Sequence, residues 1–259
     1  TGVPGALDVV VREGDQVPGL PAGVLWSAAS GGTMSFLVAL NENGEIAFSS
    51  KLTGGAVTTA DDYVMASYQP GTGVTIWARE GDQAPGMPAG TVLFGTPAAG
   101  SSSWGNTGNM AFVWNLDDGG VSITTDNDGA LWYGGAAGLT IALREGEPTG
   151  LPGGELFGVV NNTSVTSNAS GQIAFFCSLR DSAGGTLPSS NDSTMVLGTP
   201  GNWTFVVREG DVIAEIPPSV NGPWMCGNVT GSTNLNGRGQ LFFNQSCTDG
   251  VDTRTHHLC

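Results

Sequence analysis

The residues with the greatest chemical potential form a tetrad, Arg-Glu-Gly-acid, that occurs four times at near-equal spacing. A guanidinium beside carboxylates can hold an anion or an opposing carboxylate through paired hydrogen bonds. A catalytic group is normally needed once, so four copies indicate architecture first. The copies are Arg12, Glu13, Gly14 and Asp15; Arg79, Glu80, Gly81 and Asp82; Arg144, Glu145, Gly146 and Glu147; and Arg208, Glu209, Gly210 and Asp211.

The structural interpretation of the tetrad assigns a task to each residue type. We expect each Arg to bond to a carboxylate or to turn carbonyls, including those of an adjacent repeat. The Gly supplies a turn that a Cβ would obstruct. The functional alternative is a set of four equivalent anion sites.

Hydrolytic machinery is sparse in this chain. The two histidines, His256 and His257, are sequence neighbours, and no Gly-x-Ser-x-Gly elbow occurs. A glycosidase needs only two carboxylates at a suitable separation, so the 23 acidic residues leave that activity open. We predict that the protein is not an enzyme and has no catalytic residues.

Two aspartates suggest a metal site. Asp126 and Asp128 belong to the segment "DNDG", which resembles the start of an oxygen-rich calcium loop but lacks the terminal Glu of the full loop. Solvated turn carboxylates are the alternative interpretation. Calcium is the only cofactor that the sequence suggests.

Tryptophans could bind glycans by stacking. Trp104 and Trp224 lie in segments rich in Gly, Ser and Pro, which makes them the best ligand-binding candidates among the seven tryptophans. Packing in the core is the alternative for both. Binding of a glycan requires that the Trp104 or Trp224 side chain be exposed to solvent.

The four cysteines, Cys177, Cys226, Cys247 and Cys259, all lie in the last third of the chain. An even count in a chain with one Lys and many Ser, Thr and Gly residues suggests disulfides and an oxidising compartment. Of the three possible pairings we favour Cys226 with Cys247 and Cys177 with Cys259.

Asn-x-Ser/Thr sequons provide a second extracellular signal, although turn-forming Asn residues would give the same pattern. All lie after residue 160. The candidate glycosylation sites are Asn161, Asn162, Asn168, Asn191, Asn202, Asn228 and Asn244.

Composition defines the elements that must position these residues. Gly reaches 42 residues, charged residues make up 12%, and Val, Ile, Thr, Phe and Trp occur in short segments, a profile that predicts an all-β fold. The net charge of −15 argues against a nucleic-acid partner and against docking on anionic membranes. No apolar run approaches the roughly 20 residues that span a bilayer.

The tetrad defines a repeat of about 65 residues. Its Arg recurs at steps of 67, 65 and 64 residues. A second marker follows each Arg: "NENGEIAF" from Asn41, "GNTGNMAF" from Gly105, "NASGQIAF" from Asn168 and "NGRGQLFF" from Asn236. Asn and Gly tolerate positive φ, so this marker predicts a hairpin that exits through Ile46 and Phe48 on one face. Each repeat is then about four antiparallel strands, which predicts a propeller-like architecture.

The second marker resembles the NxxGxxAF tandem repeat of bacterial extracellular and surface-anchored proteins. Two copies fit in full, whereas "GNTGNMAF" lacks the leading Asn and "NGRGQLFF" has Phe in place of Ala. The resemblance implies secretion and repetition, and it transfers no catalytic residues.

The repeats are 12–78, 79–143, 144–207 and 208–259, the last one short. Residues 1–11 resemble the strand that enters the other tetrads: "TGVPGALDVVVREGD" matches "LGTPGNWTFVVREGD". We therefore expect one repeat domain whose last repeat is split between the two termini. Residues 1–11 complete it either in the same molecule, closing a ring, or in a neighbour, propagating a fibre.

These observations favour a secreted, non-catalytic structural protein, a surface or fibre component whose main partners are copies of itself. A glycan-binding propeller is the alternative, and a glycoside hydrolase is third.

Overall fold

A computed structural model gives the fold of the chain and contains no helix among the residues that it describes. The high content of Gly and β-branched residues accounts for this outcome, because such residues disfavour helices and suit turns and strands. The structure describes residues 2–3, 6–7, 9–27, 35–98, 104, 107–160, 164–229 and 233–258.

Within these described ranges, twenty strands form five antiparallel sheets. A small N-terminal sheet contains β1 (Gly2–Val3) and β2 (Ala6–Leu7). The first large sheet contains β3 (Leu25–Ser27), β4 (Ser35–Leu40), β5 (Ile46–Thr53), β6 (Tyr63–Gln69) and β7 (Gly73–Arg79). The second contains β8 (Val92–Ala98), β9 (Met110–Asp117), β10 (Gly129–Gly135) and β11 (Gly138–Arg144). The third contains β12 (Leu156–Val160), β13 (Thr166–Ser167), β14 (Ile173–Arg180), β15 (Ser193–Thr199) and β16 (Asn202–Arg208). The fourth contains β17 (Met225–Cys226), β18 (Thr233–Leu235), β19 (Leu241–Thr248) and β20 (Thr253–Leu258).

Each large sheet is a meander whose strands pair in chain order. In the first, third and fourth sheets two short strands share the first position, as β3 and β4 do on β5. β7, β11 and β16 form the last position, and each ends at the Arg of a tetrad. The predicted all-β fold of repeated antiparallel sheets is confirmed.

The Asn-x-x-Gly marker forms the predicted hairpin. Asn41 Oδ1 accepts hydrogen bonds from the backbone N–H groups of Asn43 and Glu45, both at 3.0 Å, while Gly44 has φ of 74°. Asn236 closes the turn before β19 in the same way. The Asn supplies an acceptor that the tight turn lacks, and the Gly supplies a left-handed backbone.

The Ile-Ala-Phe part of the marker explains how the sheets stack. Ala111 lies in the core between the second and third sheets, whereas Met110 and Phe112 lie in the core between the first and second. The second sheet therefore presents a face with large side chains to the first sheet and a face with the small Ala111 to the third sheet. Ala47 and Ala174 face the following sheet in the same way.

Three apolar cores join the four sheets in chain order, and a fourth core covers the outer face of the first sheet. The largest fully buried side chains include Trp26, Trp114 and Trp132. No core cluster of the described residues joins the first sheet to the fourth. The stack is thus continuous from the first sheet to the fourth, as successive blades are in a propeller.

The fourth sheet has no strand equivalent to β7, β11 and β16 among the described residues. β20 pairs with β19 on one side, and β1 pairs with β2 in a sheet of their own. The described residues of the N-terminal segment therefore pair with each other. Completion of the last repeat by residues 1–11, in the same molecule or in a neighbour, stays a prediction.

Candidate functional site

Each tetrad forms a β-turn that leads into the following sheet. The acid donates its backbone N–H to the Arg carbonyl at 3.0–3.2 Å in all four copies, and the Gly has φ of 82–86°. This geometry is that of a type II turn, which requires positive φ at its third residue. A Cβ on Gly210 would lie 2.9 Å from the carbonyl oxygen of Ser190, so the close approach of that backbone also requires Gly.

The turn bonds directly to the first strand of the following sheet. The tetrad Gly donates its N–H to that strand at 2.7–2.9 Å, and the carbonyl of the tetrad acid accepts an N–H from the same residue at 2.7–3.0 Å. The four residues that form both of these hydrogen bonds, one as acceptor and one as donor, are Trp26, Leu93, Phe157 and Cys226. The tetrad is thus the joint between consecutive sheets.

The Arg side chains of the last three tetrads bond to a loop carbonyl that precedes the third strand of their own sheet. Arg79 Nε donates to the carbonyl of Asp61 at 2.6 Å, and its Nη2 lies 2.7 Å from the Asp61 carboxylate. Arg144 and Arg208 donate to the equivalent carbonyls at 2.9 and 3.0 Å. Arg12 differs, because its side chain is 75% exposed and contacts Asp15 of its own turn.

The tetrad Glu residues are buried in the last three copies, a feature that the sequence analysis missed. Glu80 accepts hydrogen bonds from the N–H of Asp62 at 3.2 Å and from the N–H of Gly95, in the next sheet, at 2.8 Å. Burial raises the pKa of Glu80 despite these donors. The repetition of Glu beside Arg was the available signal, but an acid at a strand end is ordinarily exposed. Glu13 is exposed in the first copy.

The other two buried Glu residues also link consecutive sheets. Glu145 Oε1 lies 2.7 Å from Nη2 of Arg180 in the third sheet. Glu209 accepts a hydrogen bond from the Ser193 hydroxyl at 3.1 Å, and that hydroxyl in turn accepts the N–H of Val229. Burial raises the pKa of Glu145 and of Glu209, and in Glu209 the neighbouring Asp192 carboxyl adds to the rise.

A cavity of about 710 Å³ opens beside these acids, and its walls come mainly from the second and third sheets. Asp128, Glu145 and Asp192 line it, together with polar residues that include Ser178 and Asn228. The described residues that line the cavity include no Lys, Arg or His. Its acidic wall disfavours anionic ligands.

The two aspartates of the predicted calcium site point to different neighbours. Asp126 Oδ1 lies 2.6 Å from Arg180 Nη1, while Asp128 lines the cavity. No group of three or more His, Cys, Asp or Glu side chains within the described part of the chain could hold a metal ion. Calcium binding stays a prediction.

The prediction that Trp104 and Trp224 form a ligand surface is wrong. Trp104 is 5% exposed in the core between the first two sheets, and Trp224 is 4% exposed in the core between the last two. Both indoles have packing partners in those cores, Trp77 for Trp104 and His256 for Trp224. Loop composition suggested exposure, but a large apolar ring gains more from burial than its loop gains from solvation.

Cys177, Cys226 and Cys247 are buried thiols in this structure, and no disulfide joins them. The predicted pairing of Cys226 with Cys247 and of Cys177 with Cys259 stays a prediction. Cys259 lies outside the described residues. Cys226 and Cys247 are nevertheless opposite each other on adjacent strands.

The sequons differ in exposure. Asn202 and Asn228 are exposed, and Asn191 and Asn244 are half-buried. Asn168 is 3% exposed, and its Nδ2 donates to Gln172 and to the carbonyl of Asn236. A glycan on Asn168 would displace both hydrogen bonds. Asn161 and Asn162 lie outside the described residues.

At the position of the marker Ala, the fourth sheet exposes an apolar side chain where the other three sheets bury a small one. Phe242 occupies the position of Ala47, Ala111 and Ala174, yet it is 45% exposed and stacks on the ring of His257 at 5.7 Å. Met225 is also exposed in the fourth sheet. This face, together with the open edge of β20, is the candidate interaction site.

The fold and the site together define a repeat protein of stacked antiparallel sheets joined by tetrad turns. The chain belongs to a family of unknown function, DUF7453, whose model matches residues 2–253. No curated protein matches it. Within the described part of the chain, no helix is long and apolar enough to span a membrane.

Two solved structures are distantly similar to the chain. One is a GH43 β-1,3-galactosidase with galactodeoxynojirimycin, at 10% identity and a TM-score of 0.28, over 89% of this chain and 92% of that one. The other belongs to a mitotic checkpoint complex, at 8% identity and a TM-score of 0.21, over 98% of this chain and 99% of that one. Neither similarity is close enough to inform function. The resemblance to NxxGxxAF proteins stays a prediction.

Proposed function

We propose that the protein is a non-catalytic extracellular structural protein, a surface or fibre component that associates with copies of itself through its fourth sheet. The observation that carries this proposal is the incomplete covering of that sheet. Among the residues that the structure describes, β20 has a partner on one side only, whereas β6, β10 and β15 are paired on both sides.

The open edge of β20 is equipped for strand addition. Cys226 and Cys247 form a pair without mutual hydrogen bonds, so the backbone N–H and C=O of Cys247 point toward β20 and its partner Arg254. Backbone polarity alternates along a strand, so the N–H of Thr255 faces away from β19. Exposed edges of this kind template pairing with another chain.

A second copy is the occupant that the sequence favours. Residues 1–11 share their pattern with the segment that forms β16, the strand that pairs with the equivalent of β20 in the third sheet. A segment with this pattern from a neighbour would give the fourth sheet the strand that the other sheets possess. Phe242 would then lie at the interface rather than in water.

Proline substitution at Thr255 tests the proposal. Thr255→Pro removes an edge-facing N–H without breaking the β19–β20 ladder, and Thr255→Ala is the matched control. We expect the wild type and Thr255→Ala to form polymers in electron micrographs and by analytical ultracentrifugation. Thr255→Pro should weaken association at least tenfold while its circular dichroism and Tm stay close to those of Thr255→Ala. A wild-type chain that stays monomeric at every concentration, with and without calcium, would refute the proposal.

Calcium could contribute by ordering the acidic turns around Asp126 and Asp128. Calorimetric titration of the wild type with Ca²⁺, with Asp126→Asn/Asp128→Asn as the comparison, decides this. Heat that disappears in the double variant supports the site. Equal heat in both proteins excludes it.

A further inference from the structure

The cross-strand position that anchors each tetrad joint is occupied by a different residue pair in the fourth sheet. In the first three sheets the residue bonded to the tetrad lies opposite a Leu: Trp26 opposite Leu52, Leu93 opposite Leu116, and Phe157 opposite Leu179. All six of these side chains are buried to at least 98%. In the fourth sheet the equivalent pair is Cys226 opposite Cys247.

The backbone geometry of this pair suits a covalent link. Cys226 uses its N–H and C=O to bond with Asp211 and Gly210, on the side away from β19, and Gly227 donates to Ser246. The two cysteines are therefore a non-hydrogen-bonded pair, whose Cα atoms lie about 4.5 Å apart in a regular ladder. That separation falls within the range that a disulfide spans, about 4.4–6.8 Å. Both thiols face the core between the third and fourth sheets.

We propose that Cys226 and Cys247 form a disulfide in an oxidising compartment, and that this bond fixes the joint between the third and fourth sheets. The two thiols are oxidised by a low-molecular-weight disulfide such as oxidised glutathione. One thiolate attacks the external disulfide and releases one thiol. The second thiolate attacks the mixed disulfide and releases the other, so two external thiols form for each protein disulfide.

The bond compensates for lost packing. Two cysteines fill less volume than Trp opposite Leu or Phe opposite Leu, and β17 has only two residues to hold the joint. A covalent link restricts the unfolded chain between the two strands and so restores the anchoring that large side chains give the other joints. Cys177 has no cysteine opposite it in its sheet, because its partners are Val160 and Thr194.

The burial of these thiols determines when the bond can form. Burial, and then the neighbouring Cys247, raises the pKa of Cys226 to about 12, and burial raises the pKa of Cys247. Thiolate is therefore scarce in the closed fold, and exchange is slow there. The bond should form while the fourth sheet assembles and then resist reduction.

Peptide mapping tests the proposal on the full wild-type chain, because trypsin separates all four cysteines. Cys226 lies in peptide 209–238, Cys247 in 239–254, Cys177 in 145–180 and Cys259 in 255–259. After refolding with oxidised and reduced glutathione, we expect peptide 209–238 linked to 239–254 in most molecules. Both peptides recovered with alkylated thiols, or joined to either of the other two, would overturn the proposal.

Thermal unfolding tests the role of the bond. Reduction under denaturing conditions, followed by refolding with dithiothreitol, should lower Tm by on the order of 5–10 °C in the wild type and in Cys177→Ala, the matched control. Cys226→Ala/Cys247→Ala should be insensitive to dithiothreitol. An oxidised wild type whose Tm equals that of the reduced protein would show that the bond does not anchor the joint. If the double variant fails to fold, the wild-type and Cys177→Ala measurements still decide the question.

Discussion

Arg180 connects the third sheet to the second sheet through two ion pairs. Its guanidinium contacts Glu145 at 2.7 Å and Asp126 at 2.6 Å, and the Glu145 side chain is 2% exposed. Removing the cation from a buried ion pair is costly, because the carboxylate keeps its desolvation cost without the opposing charge. Arg180 occurs at its position in one repeat only, so the repeat pattern could not predict this contact.

Replacing Arg180 with Met should lower the free energy of unfolding by about 3–5 kcal/mol, because Glu145 would remain buried without a cation. Urea denaturation measures the loss. Arg238→Met, at an exposed position, should change stability by less than about 0.5 kcal/mol. Adding Glu145→Gln to Arg180→Met should recover part of the loss, and a double variant no more stable than Arg180→Met would argue against charge as the cause.

Asp118 closes the loop that leads from β9 toward β10. Its carboxylate accepts hydrogen bonds from the Ser122 hydroxyl and from the N–H groups of Val121, Ser122 and Ile123. Desolvation alone would raise the pKa of Asp118, but these donors outweigh it and lower the pKa to about 2. Loops that depend on one carboxylate are sensitive to its protonation.

The order of this loop should therefore depend on pH. A carboxylate with a lowered folded pKa stabilises the fold above its ordinary value of 3.8, and the contribution is lost as pH falls toward 2. Hydrogen exchange, corrected for intrinsic rates, should show that protection of residues 120–123 falls over that interval. Asp118→Asn should lose protection at pH 6 as well, because an amide nitrogen cannot accept the N–H groups that one carboxylate oxygen accepts. Asp117→Asn should retain it, because Asp117 accepts a hydrogen bond from Gly119 and the Asn oxygen can still accept it.

At the scale of the secondary-structure elements, two kinds of turn determine how the strands are connected. The Asn-x-x-Gly hairpin uses the Asn oxygen to accept two N–H groups, and the tetrad uses a Gly with positive φ. Both features follow from local chemistry, so the sequence could predict the hairpins and the Gly of the tetrad turn. The contacts of each turn with other sheets depend on stacking and were not predictable.

Asn168 and Asn236 occupy the same position in two hairpin turns. Comparing them distinguishes the hydrogen bonds within a turn from the hydrogen bond between turns. Both side chains close their own hairpins, but Asn168 is buried and also donates to the carbonyl of Asn236 at 2.9 Å. Asn236→Ala should lower the free energy of unfolding by about 1 kcal/mol, and Asn168→Ala by about 2 kcal/mol, because Asn168 is buried and its loss also removes the hydrogen bond between the two turns. Chemical denaturation of the two variants compares them. Equal losses would contradict the tertiary role of Asn168.

At the scale of the whole molecule, the sheets are a series whose two ends differ from its middle. Ala111 is fully buried beneath the third sheet, while Phe242 at the equivalent position of the fourth sheet is 45% exposed. The change from Ala to Phe in "NGRGQLFF" was visible in the sequence, but its meaning depends on whether another sheet lies above it.

Substitutions at Ala111 and Phe242 should differ in their effects on stability and on self-association. Ala111→Phe forces a ring into a filled interface and should lower the free energy of unfolding by about 3 kcal/mol or more. Phe242→Ala removes a half-exposed ring, should cost less than about 1 kcal/mol, and should weaken self-association. Thermal unfolding and sedimentation measure the two effects. A stable Ala111→Phe variant would contradict the stacking of the second and third sheets on that face.

The sequence by itself determined the all-β class, the repeat period and the hairpin turns, because Gly, Asn and alternating apolar residues act through bonds between near neighbours. Only the tertiary structure decided that Trp104 and Trp224 are buried, that three tetrad Glu residues link neighbouring sheets, and that Cys226 lies opposite Cys247. These outcomes depend on which sheet lies above which. Burial and cross-strand register are set by residues dozens of positions apart, whose proximity no local pattern encodes.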